Sequence, residues 1–443
     1  MKKIAFILIL WCGLTGVSHA QSKQWTLEEC IRYAVEHNIS IQQMDLQRKN
    51  AERALSTSRN SRLPNLNAGI DQNWNFGRSP LETGLYKNQN QSRTSLSVSS
   101  STPLFTGFRI NNEIARDRLD LVTATENLIK AREDLSINIT SLYLQVLFKQ
   151  EILKINEQQL QLSKQQKERT QYLTQAGKVP QSQLYDIEAQ VAKDEVSRVE
   201  AQNDLALALL DLAQSLELQN TTDFDVAIPM EKNVITQYSG SLQAPQTIFN
   251  RAVRIKPAIR ANEYAVQSAE KSLKIAEAGY SPTLNLNLGY GSNYFYQYGL
   301  LDGVSNAALS NQLKNNANEY IGLSLNIPIF SRFAVRNQVR SAKINIDNRQ
   351  LELEKSKQTL FKEIQTAYLN ATSAKEKYHA AEKAVQASEE SFRYAQMRYE
   401  VGNSSIFEFN EAKTKWVQVQ SEMTQAKYDF ILRTKILDFY NGK

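Results

Sequence analysis

The chain is written twice. Displaced by 218 positions, its early segment falls on its middle: Ala34 meets Ala252, Ile41 meets Ile259, Ala51-Glu52 meets Ala269-Glu270, and Pro64, Leu66 and Asn67 meet Pro282, Leu284 and Asn285. From residue 102 the displacement is 225: Pro103 meets Pro328, Phe105 meets Phe330, Phe108 meets Phe333, Tyr143-Leu144 meets Tyr368-Leu369 and Gly177 meets Gly402. Chance would match common helix formers, not prolines and glycines as well. Such a chain folds as two copies of one unit. The displacement grows by seven between residues 67 and 96, which puts an insertion in a tolerant loop of the second copy.

Within each copy, two stretches alternate with period two. In 65–76, Leu66, Ala68, Ile70, Trp74 and Phe76 share one face (Gln72 is the exception), and Asn65, Asn67, Gly69, Asp71, Asn73 and Asn75 share the other. The second copy sets Leu284, Leu286, Leu288 and Tyr290 against Asn285, Asn287, Gly289 and Gly291. Partner stretches follow, with Leu96 and Val98 against Ser95, Ser97 and Ser99, and Ile321, Leu323, Leu325 and Ile327 against Gly322, Ser324 and Asn326. The alternation predicts strands at about 64–77, 93–104, 282–296 and 318–330. Strands of ~10 residues with an apolar face, a wet face and aromatics near one end suit a transmembrane barrel. Trp74, Phe76, Tyr290, Tyr294, Phe295 and Tyr296 would supply part of its interfacial girdle. A half-buried sheet in a soluble domain shows the same alternation. Four strands cannot close a membrane barrel, whose smallest forms have about eight, so the barrel requires several chains.

Between Arg109 and Ala176 there is no proline or glycine. Heptads run through Ile114, Leu121, Leu128, Leu135 and Leu142, and through Ile139, Val146, Leu153 and Leu160. After Phe333 they run through Val339, Ile346, Leu353, Leu360, Ala367, Ala374 and Ala381, and the last helix shows Phe409, Trp416, Met423, Phe430 and Leu437. The longest helix, ~67 residues, would extend ~100 Å. Two shorter helices, about 39–62 and from the Gly177 turn to about 218, together reach a similar length and are expected to stack beside it. Pro103 and Pro328 are read as strand ends, since proline cannot donate to a ladder, and Phe105 and Phe330 as anchors at a lipid–water boundary. Pro64 and Pro282 mark the opposite passage, helix into strand.

Lys2 and Lys3, an apolar run from Ile4 to Leu14, and Ser18-His19-Ala20 make the pattern of a secretory leader cleaved before Gln21. Trp11 ahead of Cys12 argues for cleavage over lipidation. No later apolar run reaches the ~18 residues a membrane-crossing helix needs, which leaves a periplasmic, secreted or β-barrel protein. The charge of +6 falls to about +4 without the leader lysines, and acidic and basic residues are interspersed, so no nucleic acid partner is expected. Cys30, then alone, reads as a small buried hydrophobe.

The duplicated architecture, the PLFTGFR and PIFSRF corners and the helix-turn-helix tips at Gly177 and Gly402 resemble the TolC-like outer membrane efflux proteins over nearly the whole chain after the leader. The resemblance implies a mainly α fold with β and an internal tandem repeat. On that reading 1–20 is the signal peptide, 21–218 the first repeat, 219–245 a periplasmic equatorial linker and 246–443 the second repeat. It implies a homotrimer, with four strands per chain forming a 12-stranded β-barrel in outer membrane lipid, continued by a long periplasmic α-helical barrel. Its function would be the exit duct of a tripartite efflux or type I secretion system, joined to a periplasmic adaptor (membrane fusion) protein and an inner-membrane transporter. The family's second tip carries two acids, three apart, that ring the entrance. Glu408 and Glu411 of VGNSSIFEFNEA fall there, and Asp186 matches Glu411 in the first copy, where Gln183 stands for Glu408. Gly177, Lys178 and Val179, with Gly402, Asn403 and Ser404, fall where the adaptor meets the tips; Pro180 departs from the family's small polar run.

No enzyme, cofactor or metal site is expected. Besides His19 in the leader there are only His37 and His379, far apart, and no G-x-S-x-G, P-loop or zinc spacing occurs. A periplasmic adaptor or tether would share export and coiled coils, but adaptors use one hairpin and not two strand pairs in tandem. A passive porin would have no purpose for the long helices.

Overall fold

In the computed structural model, which describes residues 24–80, 86–88, 90–219, 224–228, 242–300 and 304–442, the duplicated sequence becomes a duplicated series of elements. The expected leader and most of the expected linker lie outside the described residues. The first copy runs β1 (Gln24–Trp25), α1 (Leu27–His37), α2 (Ile39–Asn60), β2 (Asn67–Asn75), β3 (Arg78–Pro80), β4 (Tyr86–Asn88), β5 (Asn90–Phe105), α3 (Arg109–Gln175) and α4 (Gln181–Ser215). A two-residue strand, β6 (Asp225–Val226), precedes the second copy: α5 (Pro245–Ile255), α6 (Pro257–Glu277), β7 (Thr283–Tyr298), α7 (Leu309–Asn315), β8 (Asn318–Asn326), α8 (Ala334–Glu400) and α9 (Ile406–Tyr440).

Local chemistry sets these boundaries. Thr26 and Glu29 form a capping box at the start of α1, with Glu29 N–H donating to Thr26 Oγ1 at 3.3 Å and Thr26 N–H to Glu29 Oε2 at 3.0 Å. Asn38 turns extended, and its Oδ1 accepts from Ser40 and Ile41 to start α2. The same break recurs 218 positions later at Lys256, extended as a residue before proline prefers to be. Both long helices are entered through two successive left-handed residues: Gly107 and Phe108 at φ 62° and 63°, and Arg332 and Phe333 at φ 52° and 62°.

α3 and α8 each have 67 residues, α4 and α9 each 35. At ~1.5 Å per residue the long helices span ~100 Å, a shaft along which the shorter ones pack. Both α2 and α4 lie along α3, which also takes α6 and α9 from the second copy. The two copies therefore share one core. Ile139, Tyr143 and Val146 of α3 are buried with Cys30, Ala34 and Leu212, while Ile248, Ile259, Ile364 and Ala371 form the corresponding cluster of the second copy. The Tyr143 hydroxyl donates to Ala227 O at 2.5 Å and Trp25 O at 3.2 Å, tying the parallel β1–β6 pair to the shaft. Burial pushes its pKa up to about 12. The Cys30 thiol is likewise pushed up to about 12, so it stays protonated and acts as a hydrophobe.

Four of the strands form one antiparallel sheet in the order β2-β5-β7-β8, so its central ladder joins the two copies, and β3 and β4 pair separately. Cross-strand register sets Ile70 beside Leu96, and Leu286 and Leu288 beside Leu323 and Ile321, on one face; Gly69 beside Ser97, and Asn285 and Asn287 beside Ser324 and Gly322, occupy the other. The apolar face is bare in the single chain, with Ile70 at 76% and Ile321 at 80% exposure. Among the described residues β2 and β8 each have only one partner strand.

Three sequence expectations change here. Pro103 does not end its strand: β5 continues to Phe105, and the register shifts beside Pro103, so a bulge accommodates the missing N–H. Phe295 is not on the girdle face with Tyr294 and Tyr296, because it lies opposite Arg93 on the polar face, its ring centre 5.1 Å from the guanidinium. β8 stops at Asn326, ahead of Pro328. At the other end of β8, beyond the Gly291–Asn318 rung, β7 lacks a strand on this side, and Gln312 of α7 takes the place of one, accepting from Phe295 N–H and donating to Phe295 O, both at 2.9 Å.

Candidate functional site

The end of the shaft remote from the sheet consists of two helical tips. α3 closes at Gly177, left-handed at φ 70°, with Lys178 N–H donating to Leu173 O at 2.9 Å. α8 closes the same way at Gly402, φ 78°, with Asn403 N–H donating to Arg398 O at 2.8 Å. This is the Schellman closure. A Cβ at either glycine would meet nothing within 4 Å, so conformation alone demands glycine. Alanine at either position is expected to cost about 1 kcal/mol of unfolding free energy in chemical denaturation, with no packing penalty.

The tips differ after the turn. In the second, Ser405 caps α9, its Oγ accepting from Glu408 N–H at 3.2 Å. In the first, Pro180 precedes α4 without a side-chain cap. Lys178, Gly402 and Asn403 are exposed, Val179 and Ser404 half-buried, and Tyr172, Tyr185, Val401 and Phe407 add exposed apolar surface. Arg169 joins the hairpins, donating to Glu400 O at 3.2 Å in the last turn of α8.

The three acidic residues singled out by the sequence stand at this end but in different states. Glu408 is held by its own tip: Ser404 Oγ donates to it at 2.6 Å and Arg398 Nη2 lies 3.5 Å away. Glu411, one turn further along α9, and Asp186 on α4 are exposed. Between them lies a shared floor of Ile187, Phe392, Ile406 and Phe409, with Trp416 stacked on Phe392 at 5.0 Å. The floor brings the two hairpins to one level, and Glu411 and Asp186 have no salt bridge among the described residues. No group of three or more His, Cys, Asp or Glu able to hold a metal occurs among the described residues.

Sequence reasoning missed the most buried ion pair, directly behind these tips. Lys413 of α9 is 1% exposed and Asp194 of α4 2%, with Nζ to Oδ2 at 2.9 Å. Gln159 and Gln190 each donate to Asp194 Oδ1 at 2.8 Å, and Ser163 of α3 bonds to both Asp194 and Lys413. The network ties three helices from both copies. Burial pushes the Lys413 ammonium below the ordinary lysine range, against the raising influence of Asp194. A lysine on a helix rich in lysine and glutamate gives no signal of this: Lys415, two residues on, is exposed.

The family model of outer membrane efflux proteins matches residues 30–217 and 248–435, once per copy. Outer membrane protein TolC of Escherichia coli K12 is 22% identical over 442 residues, covering 98% of this chain and 85% of that protein. Among solved structures, CusC superposes with a TM-score of 0.77 at 18% identity, over 94% of this chain and 91% of that one. The open state of the Neisseria gonorrhoeae MtrE outer membrane channel gives 0.73 at 18% identity, over 94% and 88%. These likenesses establish the shared fold.

Proposed function

The chain belongs to the outer membrane efflux protein family, and from that membership we propose that three copies close their sheets into one 12-stranded barrel and their helices into one periplasmic conduit. It is an outer membrane protein, the exit duct of an efflux or type I secretion system that passes small molecules or proteins outward. The observation that carries the trimer is the sheet itself. Its two edges each present a nine-residue strand, β2 and β8, and its apolar face is bare. Four strands are too few for a barrel and three sets of four exceed the minimum of about eight. Pairing β8 of one copy with β2 of the next satisfies both edges and leaves the Ser, Asn and Gly face lining the pore.

The tips then face the pump. Gly177, Lys178 and Val179 with Gly402, Asn403 and Ser404 are the contact surface for a periplasmic adaptor hairpin, and the adaptor links the duct to an inner-membrane transporter. Glu408, Glu411 and Asp186 ring the entrance. Pro64, Pro103, Phe105, Pro282, Pro328 and Phe330 mark the level where the barrel meets the shaft.

Single-channel conductance of the detergent-purified protein in a planar bilayer, beside its mass in solution, tests this. A trimer with a small, cation-selective conductance is the expected result; a water-soluble monomer without channel activity would sink it. The carboxylate ring has its own test. Glu408→Gln with Glu411→Gln is expected to weaken block by divalent cations, with the larger share from Glu411 because Arg398 already offsets Glu408. Unchanged block would remove the acids from the entrance.

A further inference from the structure

The two corners between sheet and shaft differ in charge. In the first copy, residues 102–121 balance Arg109, Arg116 and Arg118 against Glu113, Asp117 and Asp120, and Arg109 and Arg116 are paired at 2.8 and 2.7 Å. In the second, residues 327–346 carry Arg332, Arg336, Arg340 and Lys343 and no acid. All four basic side chains are exposed. None has an ion-pair partner among the described residues. Arg332 also occupies the left-handed backbone position that Gly107 fills in the first copy, a conformation unfavourable to a residue with a side chain.

These charges adjoin the membrane face. Arg336 lays its guanidinium 4.2 Å from the centre of the Phe333 ring, which meets Phe330 edge-on at 5.4 Å. Ile329 is 95% exposed, and Ile327 before it continues the apolar face of β8. Arg336 and Arg340 follow Phe333 by ~5 and ~10 Å along the helix. The headgroup layer below the hydrocarbon is about 5–7 Å thick on each side. Arg332 and Arg336 are thus at headgroup depth, and Arg340 is within reach of a long side chain. Guanidinium groups match phosphate oxygens in a two-pronged fork.

We propose that Arg332 and Arg336, with the Ile329–Phe330–Phe333 wedge, form a binding site for the phosphate of a glycerophospholipid in the periplasm-facing leaflet, one per chain and none at the first corner. The site rests on the outer-membrane reading above. The wedge enters the acyl region while the two arginines hold the headgroup, so the site fixes the depth of the second corner.

Native mass spectrometry of the trimer released from bilayer nanodiscs reads the bound lipid directly. Wild type is expected to retain phosphatidylglycerol in preference to phosphorus-free diacylglycerol. Arg332→Gln with Arg336→Gln should lower that retention about tenfold or more, Arg332→Lys with Arg336→Lys by less, and Arg109→Gln not at all. Equal retention by the double glutamine variant overturns the site, and so does diacylglycerol held as tightly as phosphatidylglycerol. Loss of the trimer in the glutamine variant also overturns it, because the arginines would then serve acids of a neighbouring copy. Conductance of the same preparation separates the two readings: a conducting channel without phospholipid preference rejects only the site, and a protein that never inserts rejects both.

Discussion

Replacing Lys413 with methionine is expected to destabilise the folded chain by about 3–5 kcal/mol, the usual consequence of stranding one partner of a buried ion pair. Asp194 would keep its two glutamine donors and Ser163 but lose its only cationic partner among the described residues, in a site 2% exposed. The companion variant, Lys413→Met with Asp194→Leu, removes both charges and is expected to recover most of the loss, since a well-packed apolar pair often matches a buried salt bridge. Far-UV circular dichroism during chemical denaturation, at fixed detergent, measures both. A double variant as unstable as the single one would mean that packing, and not charge, holds the three helices together. The pH dependence gives a second readout. The folded chain binds the Lys413 proton less tightly than the unfolded chain does, so unfolding takes up protons between the depressed value and the ordinary 10.5. Wild-type stability from this group therefore rises as pH climbs through that interval, and the methionine variant lacks the rise.

Gly107→Ala is expected to cost about 2–4 kcal/mol, far above the tip glycines. Both effects come from geometry. The residue sits at φ 62°, and an added Cβ would lie 2.3 Å from Ser281 Cβ and 3.1 Å from Ala278 O. The backbone conformation accounts for about 1 kcal/mol and the collision for about 1–3. Adding Ser281→Gly removes the two closest atoms, Ser281 Cβ and Oγ, and should recover most of the collision part, leaving the backbone term and the tight approach to Ala278 O. The measurement is the denaturation midpoint of the single and double variants. If Ser281→Gly relieves nothing, the close approach of corner and 278–281 turn is not what fixes glycine here.

Much of this architecture was legible because it rests on short-range grammar. Period two in 65–76 and 284–290, heptads through Leu128 and Phe430, and the repeated Pro and Gly at fixed displacement each report a local preference that packing did not override. The duplication also told how the pieces recur, down to a helix break that reappears at Lys256. What stayed hidden depends on partners far along the chain. Pro103 was misplaced because a bulge can absorb a missing donor, which no proline announces. Phe295 was put on the wrong face because an aromatic near a strand end fits either face, and only register with Arg93 decides. Arg332 gave no sign of its left-handed backbone, since arginine rarely adopts it. The Lys413–Asp194 pair joins helices 219 positions apart, and nothing in the spacing of either residue selects the other.

The central ladder of the sheet has a consequence in time. Asn90 pairs with Tyr298 and Phe105 with Leu284, partners roughly two hundred positions apart. While the chain is still being delivered, β5 has β2 and nothing else, and half of its backbone groups wait for a sequence that has yet to arrive. The α3–α4 hairpin needs no such delay, because its contacts are local and form early. That pairing sets an order of construction: each hairpin matures as it emerges, the sheet last, and, in the trimer proposed above, its outer edges only when another chain comes alongside. Until then the exposed strands are a hazard for misplaced pairing, so the dangerous interval in the life of this protein falls between export and insertion.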